Sequence, residues 1–362
     1  MQNYKIIQVQ KVESFLKEFF IMLGVPEEDS HFCSEALLSA DLQGFDSHGM
    51  DLLRTYYDKV KEGVKFPNRK WQILKETETT ATIDGRYGMG QIISHKAMDL
   101  AVKKARKSGL GAVAVRNSNH LGIAGYYTNI ATKENMIGWV FSNAAPAIAP
   151  TYGVDPLLGT NPLAFGAPTN LGFPFIIDFA ISIVRKNDID RRAKRGEPMK
   201  EGWAIDQNGN SYTDGLKLRD DVKAGRASLL PFGAHRGYGL ATLVEVLCAS
   251  LQGGAYMQDL HKINQDGKPI SHGFGHFFLA INIESFIDVN TFKNIITDIM
   301  RKLQSSRKIP GYDRIYIAGE KENETQKIRL ENGIPVKMST IKALREINNA
   351  KLSTRIDELI KT

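Results

Sequence analysis

The stretch ATIDGRYGMGQIISHKAMDLAVKKARKSGLGAVAV, residues 81–115, decides the fold class. It opens with the β-rich run ATID at 81–84 and closes with the similar run AVAV at 112–115. The residues between these runs follow a helical pattern, which predicts a helix over 91–107. A strand, a helix and a second strand in this order indicate a mixed α/β domain.

The same alternation continues along the chain. Further β-rich runs predict strands at 137–141, 175–179, 277–283 and 314–318, and helical patterns occupy 122–134, 237–251, 290–305 and 339–360. Apolar residues at helical spacing make the region before the first strand mostly helical. Because the last two predicted helices are amphipathic, they are able to pack on these N-terminal helices. We therefore predict a helical domain of residues 1–73 with 290–362 and an α/β domain of residues 74–289.

The composition of the 362 residues is that of a globular protein large enough to bury a core. Its 47 basic and 40 acidic side chains leave a net charge of +7. The basic residues are mixed with acids, and even the densest cluster, 185–195, contains Asp188 and Asp190, so we expect no nucleic-acid partner. A modest positive field suits a small anionic substrate equally well.

Cysteine usage and hydropathy bear on the compartment. Cys33 and Cys248 are too few for a disulfide framework or a four-cysteine metal site. Charged residues interrupt the early apolar stretches, and the longest later one, 240–251, is too short to span a bilayer. We expect a cytoplasmic protein without a membrane partner.

The glycine-rich stretch at 85–90 is a test for a Rossmann dinucleotide site, because it stands between a predicted strand and a predicted helix. Ile93 occupies the place of the third glycine, and the next strand ends near Arg116 and Asn117 without the acid that binds a ribose. The stretch is therefore interpreted as an ordinary turn. The chain also lacks the P-loop, H-E-x-x-H and G-x-S-x-G motifs of nucleotide hydrolases, zinc proteases and serine hydrolases.

Two polar clusters contain histidine in otherwise apolar surroundings. DSHG at 46–49 follows the second predicted helix, and NSNH at 117–120 follows the AVAV strand. Histidine titrates near neutrality, so it suits proton transfer to and from a developing alkoxide. A single histidine in such a place more often only hydrogen-bonds the chain, but two similar clusters favour a catalytic role.

Three further stretches are candidate ligand sites. The loops at 142–146 and 159–162 are small and polar, so their backbone is able to approach a sugar or a phosphate. Residues 230–240 open a helix, where free N–H groups and an arginine could hold an anion, although an ordinary helix entry explains them equally well. His272 and His276 are spaced four apart, but the glycines between them make a metal site improbable, and we predict none.

Taken together, these segments resemble the type 2 malate/L-lactate dehydrogenase family. The matching segments are DLQGFDSHG (41–49), RNSNHLGIAGYY (116–127), GTNPLAFGAPT (159–169), FIIDFAIS (175–182), RGEPMKEGWAID (195–206), LLPFGAHRGYGL (229–240), GHFFLAI (275–281) and AGEKE (318–322). The resemblance implies a non-Rossmann α/β fold, in which a helical domain joins a mixed-sheet cofactor-binding domain. It also implies a homodimer with the active site near the interface.

The resemblance also assigns roles to individual residues. It makes His48 the leading proton donor and acceptor, with Ser47 beside it and His120 as the second candidate, and it makes Tyr56 a substrate contact. For the cofactor it points to Thr160, Asn161, Pro162, Asp178, Phe179, Ala180, His235, Arg236, Gly237, Gly319 and Glu320.

Four positions depart from the family pattern. Arg236 replaces a lysine, Asn187 replaces a glycine and Ala318 replaces a proline, all of which are conservative changes. Leu52 stands where many members have an arginine, so the group that would hold a substrate carboxylate is open. Arg54 is the nearest candidate for binding substrate, provided that the segment is not helical, because two helical residues differ by about 200° in direction.

The sequence thus predicts an oxidoreductase that uses NAD or NADP, with NAD favoured. It would transfer a hydride between nicotinamide and C2 of a small 2-hydroxy or 2-oxo carboxylic acid, with malate and oxaloacetate as the first guess. The alternatives are a reductase of a cyclic imine or of a sulfonated 2-oxo acid, and, from another class, a basic nucleic-acid-binding protein on a retained fold.

Overall fold

A computed structural model describes residues 4–261, 273–347 and 350–360. Its strands are β1 (Tyr4–Ile7), β2 (Gln72–Glu76), β3 (Thr80–Asp84), β4 (Leu110–Ser118), β5 (Met136–Ser142), β6 (Pro146–Ile148), β7 (Leu158–Gly159), β8 (Leu163–Ala167), β9 (Phe175–Phe179), β10 (Ala204–Asp206), β11 (Ala227–Leu229), β12 (Phe274–Asn282) and β13 (Ile334–Lys337). Its helices are α1 (Val9–Met22), α2 (Glu27–Leu42), α3 (Leu53–Lys61), α4 (Gly90–Ser108), α5 (Ala124–Lys133), α6 (Lys186–Lys194), α7 (Leu218–Lys223), α8 (His235–Cys248), α9 (Val289–Gln304), α10 (Glu320–Asn332), α11 (Met338–Arg345) and α12 (Ala350–Ile360).

A seven-stranded mixed sheet is the centre of the α/β part, with strand order β2-β3-β4-β12-β5-β8-β9. Only β3 and β4 pair in parallel within it, and the other neighbours are antiparallel. A Rossmann sheet is mostly parallel, so the predicted non-Rossmann α/β fold is confirmed. A smaller sheet, β10-β11-β6-β7, stands beside it.

The helical core combines both ends of the described chain. The apolar faces of α1 and α2 bury residues such as Leu16 and Leu37, and Ile341 on α11 packs into the same cluster. Strand β1 pairs antiparallel with β13, which ties the two chain ends together. Helix α9 lies elsewhere, since the Thr297 hydroxyl accepts from the backbone N–H of Asn170, 2.9 Å away. The boundaries of the two domains stay a prediction.

Most predicted elements occur within a few residues of their predicted bounds, but 314–318 is a correction. This run is not a strand. Both backbone groups of Ile317 bond to Glu320: the Ile317 N–H donates to the Glu320 carboxylate, and the Ile317 carbonyl accepts from the Glu320 N–H. These bonds form the entry to α10 and leave no ladder for a sheet. The predicted helix 339–360 is also divided, into α11, which ends at Arg345 with Glu346 as its C-cap, and α12.

No helix in the described ranges has both the length and the apolar character that crossing a bilayer requires.

Candidate active site

The first three residues of the DSHG cluster form a short 3-10 turn, Asp46–His48, and a second such turn, Met50–Leu52, follows. Gly49 separates them, and a Cβ there would lie 1.9 Å from a carboxylate oxygen of Asp41, so only glycine fits. That carboxylate accepts from the Met50 N–H at 2.9 Å. Burial raises the pKa of Asp41 well above its usual range. The glycine of this motif therefore serves close packing against a buried acid on α2.

Residues from the C-terminal part of the chain anchor the same turns. Arg329 on α10 pairs with Asp46 at 2.5 Å and also donates to the backbone carbonyl of Asp41. Lys337 and Thr340 both bond the carboxylate of Asp51. These contacts hold the histidine turn from the other side, and no local sequence pattern indicated them.

The two predicted catalytic histidines lie together. The His48 and His120 rings are stacked with centroids 5.7 Å apart and an interplanar angle of 27°. The Ser47 hydroxyl is 2.9 Å from Nδ1 of His48 and so orients that ring. Both imidazoles are half-buried, so they remain accessible to a small molecule.

The glycine-rich stretch at 85–90 supports the His120 loop. The side-chain amide of Asn119 donates to the carbonyls of Tyr87 and Gly88, each at 2.9 Å. A Cβ at Gly90 would lie 2.1 Å from the Asn119 carbonyl oxygen, so the first turn of α4 contacts this loop directly. These glycines therefore allow two backbone segments to approach each other, and residues 85–88 form the predicted turn.

Tyr56 connects α3 to His120. Its hydroxyl lies 3.0 Å from Nδ1 of His120 and accepts from the side-chain amide of Gln91 at 2.7 Å. The Gly122 backbone N–H also donates to Nδ1 of His120, at 3.3 Å. Because a backbone N–H only donates, Nδ1 is an acceptor, and we assign the Tyr56 proton to this bond. Neutral His120 then carries its own proton on Nε2.

His276 has a structural environment. Its Nδ1 lies 2.9 Å from the Ser142 hydroxyl, and its Nε2 lies 3.1 Å from the Asn119 carbonyl. Burial lowers the pKa of this histidine to about 4. His272, the other member of the weak metal pattern, lies outside the described residues. Within the described ranges, no group of three acidic, histidine or cysteine side chains is arranged to hold a metal ion.

A cavity of 280 Å³ is lined by residues from the segments before His48 and after His120. Phe45, three residues before His48, and Gly125, five residues after His120, belong to its lining. The predicted cofactor residues Asp178, Phe179 and Gly319 also line it. The structure thus brings three of the predicted cofactor residues together in one cavity.

Asp178 lies at the inner wall of this cavity, on β9. Its carboxylate accepts from the backbone N–H of Gly125 at 2.7 Å. Burial raises the pKa of Asp178 to about 6, while the backbone bonds lower it. The acid therefore joins the edge strand of the sheet to the first turn of α5.

Glu245 on α8 organises the two polar loops, and sequence reasoning missed it. Its buried carboxylate accepts from Asn161 at 3.1 Å and from Asn143 at 3.4 Å. The Asn161 side chain also accepts from the Ala144 N–H at 3.0 Å. Burial raises the pKa of Glu245. A single acid inside the helical run 237–251 was the signal available in the sequence.

The remaining predicted cofactor residues have different surroundings. Asn161 is fully buried in the network around Glu245, whereas Thr160, Pro162 and Ala180 are half-buried. At the start of α8, His235 and Arg236 are exposed and Gly237 is buried, with a Cβ site 2.0 Å from the Phe232 carbonyl oxygen.

Two predicted ligand residues already have partners in the protein. The carboxylate of Glu320 accepts from Gln304, Arg314 and the Ile317 N–H. Arg54 lies in helix α3, where its guanidinium pairs with Asp58 at 2.9 Å and donates to the Ala343 carbonyl at 3.1 Å. The substrate role of Arg54 required a non-helical segment, and that condition is not met.

The chain is similar to known dehydrogenases over nearly its whole length. The family model described as malate/L-lactate dehydrogenase matches residues 7–345. A malate dehydrogenase of Pyrococcus abyssi is 40% identical over 96% of this chain and 95% of its own, and an L-sulfolactate dehydrogenase of Methanocaldococcus jannaschii is 35% identical over 98% and 100%. The crystal structure of malate dehydrogenase from Entamoeba histolytica superposes with a TM-score of 0.92 at 36% identity, covering 98% of both chains. The stacked histidines and the mixed sheet thus occur in a chain that belongs to the malate/L-lactate dehydrogenase family.

Proposed function

We propose that the protein transfers a hydride between a nicotinamide cofactor and C2 of a small 2-hydroxy or 2-oxo acid, with malate and oxaloacetate as the preferred pair. The observation that carries this proposal is the stacked pair of His48 and His120, whose neighbours in sequence, Phe45 and Gly125, line the same cavity as Asp178. The names of the relatives from Pyrococcus abyssi and Entamoeba histolytica support malate.

The cavity fits a nicotinamide cofactor. Phe45, Ile176 and Phe179 supply apolar surface for a flat ring, and the N-terminus of α10 at Gly319 supplies backbone dipoles for an anionic group. When bound there, nicotinamide would give up or take the hydride. We assign NAD because, among the residues that the structure describes, the cavity lining contains the carboxylates of Asp178 and Glu322 and no lysine or arginine, an arrangement that would repel a 2′-phosphate.

The chain's own residues manage the proton and the charge. During reduction the substrate oxygen gains negative charge, and His48, oriented by Ser47, gives it a proton. In the reverse direction the same ring removes that proton. His120, with its proton on Nε2, donates a hydrogen bond to the same oxygen and stabilises the charge as it develops.

Charge pairing argues against the nucleic-acid alternative. In the basic cluster, Arg185 and Arg191 both pair with Asp188, at 3.2 Å and 2.5 Å. Arg219, from a neighbouring helix, lies 3.6 Å from Asp190. These ion pairs offset part of the positive charge of the cluster and interrupt it as a phosphate-binding surface.

An assay with purified protein tests the proposal. Oxaloacetate, pyruvate, sulfopyruvate and a cyclic imine carboxylate are each incubated with NADH or NADPH while nicotinamide absorbance is followed. We expect the highest kcat/KM for oxaloacetate with NADH. Faster reduction of sulfopyruvate or of the imine would replace malate by the corresponding alternative, and nucleic-acid binding in a gel shift without any turnover would contradict the proposal.

A further inference from the structure

Lys65, in the loop after α3, is a buried cation with no evident structural purpose. Lys65 is 5% exposed, and its ammonium group has no hydrogen-bond partner in the described part of the chain. The Nζ atom lies over the face of the Tyr56 ring, 4.3 Å from the centroid. Burying an unpaired charge is costly, so a neutral side chain of similar shape would serve stability better.

The ring under Lys65 is the one that contacts His120. The Tyr56 hydroxyl donates to Nδ1 of His120 across 3.0 Å, and the two ring centroids are 6.3 Å apart. Burial raises the pKa of Tyr56, and a cation over the phenol ring offsets part of this effect, which makes the hydroxyl a stronger donor. The same cation opposes a second positive charge on the nearby imidazole.

The other titratable groups around Lys65 are Cys33 on α2, Lys59 on α3 and His276 on β12. Burial raises the pKa of the Cys33 thiol and lowers the pKa of His276 to about 4, so both are neutral near pH 7. Lys59 pairs with Glu62 at 2.8 Å. Burial, with a smaller contribution from Lys59, lowers the pKa of Lys65 to about 7. Of these groups, Lys65 is the one whose charge changes near neutrality.

We propose that Lys65 is a positioning residue of the active site: through the ring of Tyr56 it holds His120 in its neutral form with the proton on Nε2, which leaves His48 as the group that exchanges a proton with substrate. The inference rests on the proposed dehydrogenase function. Lys65, which lies outside the catalytic pair, would thus control the pH at which the site histidines become protonated.

The test compares Lys65→Met, which removes the charge, with Lys65→Arg, which keeps it. A matched control is Lys61→Met, because Lys61 lies over the ring of Tyr57, 5.6 Å from its centroid, and Tyr57 is not the ring hydrogen-bonded to His120. The first readout is 15N NMR of the histidine side chains in the protein without cofactor or substrate. The second is the pH profile of kcat/KM for oxidation of malate.

In Lys65→Met, we expect the site histidines to become protonated at a pH roughly 0.5 to 1 unit higher than in the parent protein. This is the shift that removal of one charge at this distance causes in a partly buried site. Because oxidation needs a neutral base, its acid limb should shift upward by the same amount. In Lys65→Arg and Lys61→Met, the site histidines should titrate as they do in the parent protein. Lys65→Met should also unfold at the same or a higher temperature.

An unchanged histidine titration in folded Lys65→Met would overturn the proposal, as would an equal shift in Lys61→Met. If Lys65→Met does not fold, Lys65→Gln provides the same neutral test with a shorter side chain. Failure of the proposed function is seen separately, as a parent protein without nicotinamide-dependent turnover, because the NMR titration needs neither cofactor nor substrate.

Discussion

His48 and His120 are held by different partners, and this difference predicts different phenotypes. Ser47 orients His48, whereas the donors Tyr56 and Gly122 occupy Nδ1 of His120. We expect His48→Ala to lower turnover by roughly two to four decades while the Kd for cofactor stays nearly unchanged, because a general acid acts mainly in the transition state. Steady-state kinetics and fluorescence titration with NADH measure the two quantities. Near-normal turnover in His48→Ala together with an inactive His120→Ala would reverse the assignment.

Leu52 bears on substrate choice at the same scale. It is half-buried against the helical core, at the end of the turn that follows Gly49. Leucine offers no donor to a carboxylate, whereas an arginine there could form a two-pronged pair with it. We expect Leu52→Arg to raise kcat/KM for dicarboxylic substrates relative to lactate. Identical profiles on malate, lactate and oxaloacetate for the variant and the parent would show that position 52 does not face the substrate.

At the scale of an element, the sequence predicts a cofactor anion site at the first turn of helix α8. Arg236 is exposed beside Gly237, and this 14-residue helix directs its free N–H groups toward that end. We expect Arg236→Ala to raise the Kd of NADH at least several-fold and to change the KM for substrate much less. Arg301→Ala, an exposed arginine on α9, is the control. A Kd for NADH that calorimetry finds unchanged in Arg236→Ala would remove Arg236 from the site.

The stability of the whole molecule should depend on pH through Lys65. Its pKa is about 7 in the folded protein against an ordinary value of 10.5, so the unfolded chain binds the extra proton between these values. Below pH 7 the buried charge of Lys65 destabilises the folded state fully, and this destabilisation disappears as pH rises toward 10.5. Urea unfolding should therefore give Lys65→Met a higher free energy of unfolding than the parent at about pH 7, and this difference should be smaller at about pH 9.5. An advantage equal at both pH values would contradict this titration.

We also predict that the molecule is a homodimer. Helix α9 presents Ile295, Ile299 and Leu303, each about half exposed, at four-residue spacing, which forms an apolar stripe on one face. Light scattering after size exclusion should give twice the chain mass. The double variant with Ile295→Lys and Ile299→Lys should have the mass of one chain. The control Leu330→Lys, which changes an exposed leucine on α10, should keep twice the chain mass. A parent protein that elutes at the mass of one chain would refute the dimer.

Local pattern by itself determined the elements and the chemistry-bearing residues. The stretch 81–115 contains its strand, helix and strand because spacing and β-propensity act over a few neighbours, and the two histidine clusters were recognisable for the same reason. The failed fingerprint at 85–90 correctly excluded a Rossmann sheet. Local pattern failed at 314–318, where β-rich residues meet a capping glutamate, Glu320, that takes the backbone bonds a strand would need.

Only the tertiary structure decided how these parts act together. His48 and His120 come from separate elements, and their 5.7 Å stack depends on long-range contacts such as the packing of α2 against α4 and the hydrogen bond from Gln91 to Tyr56. The anchoring of the Asp46 turn by Arg329 and the burial of Lys65 over Tyr56 likewise join residues with no local relation. Charge, tautomer and proton affinity at the site follow from these long-range contacts, because they depend on burial and on distance in space rather than on order along the chain.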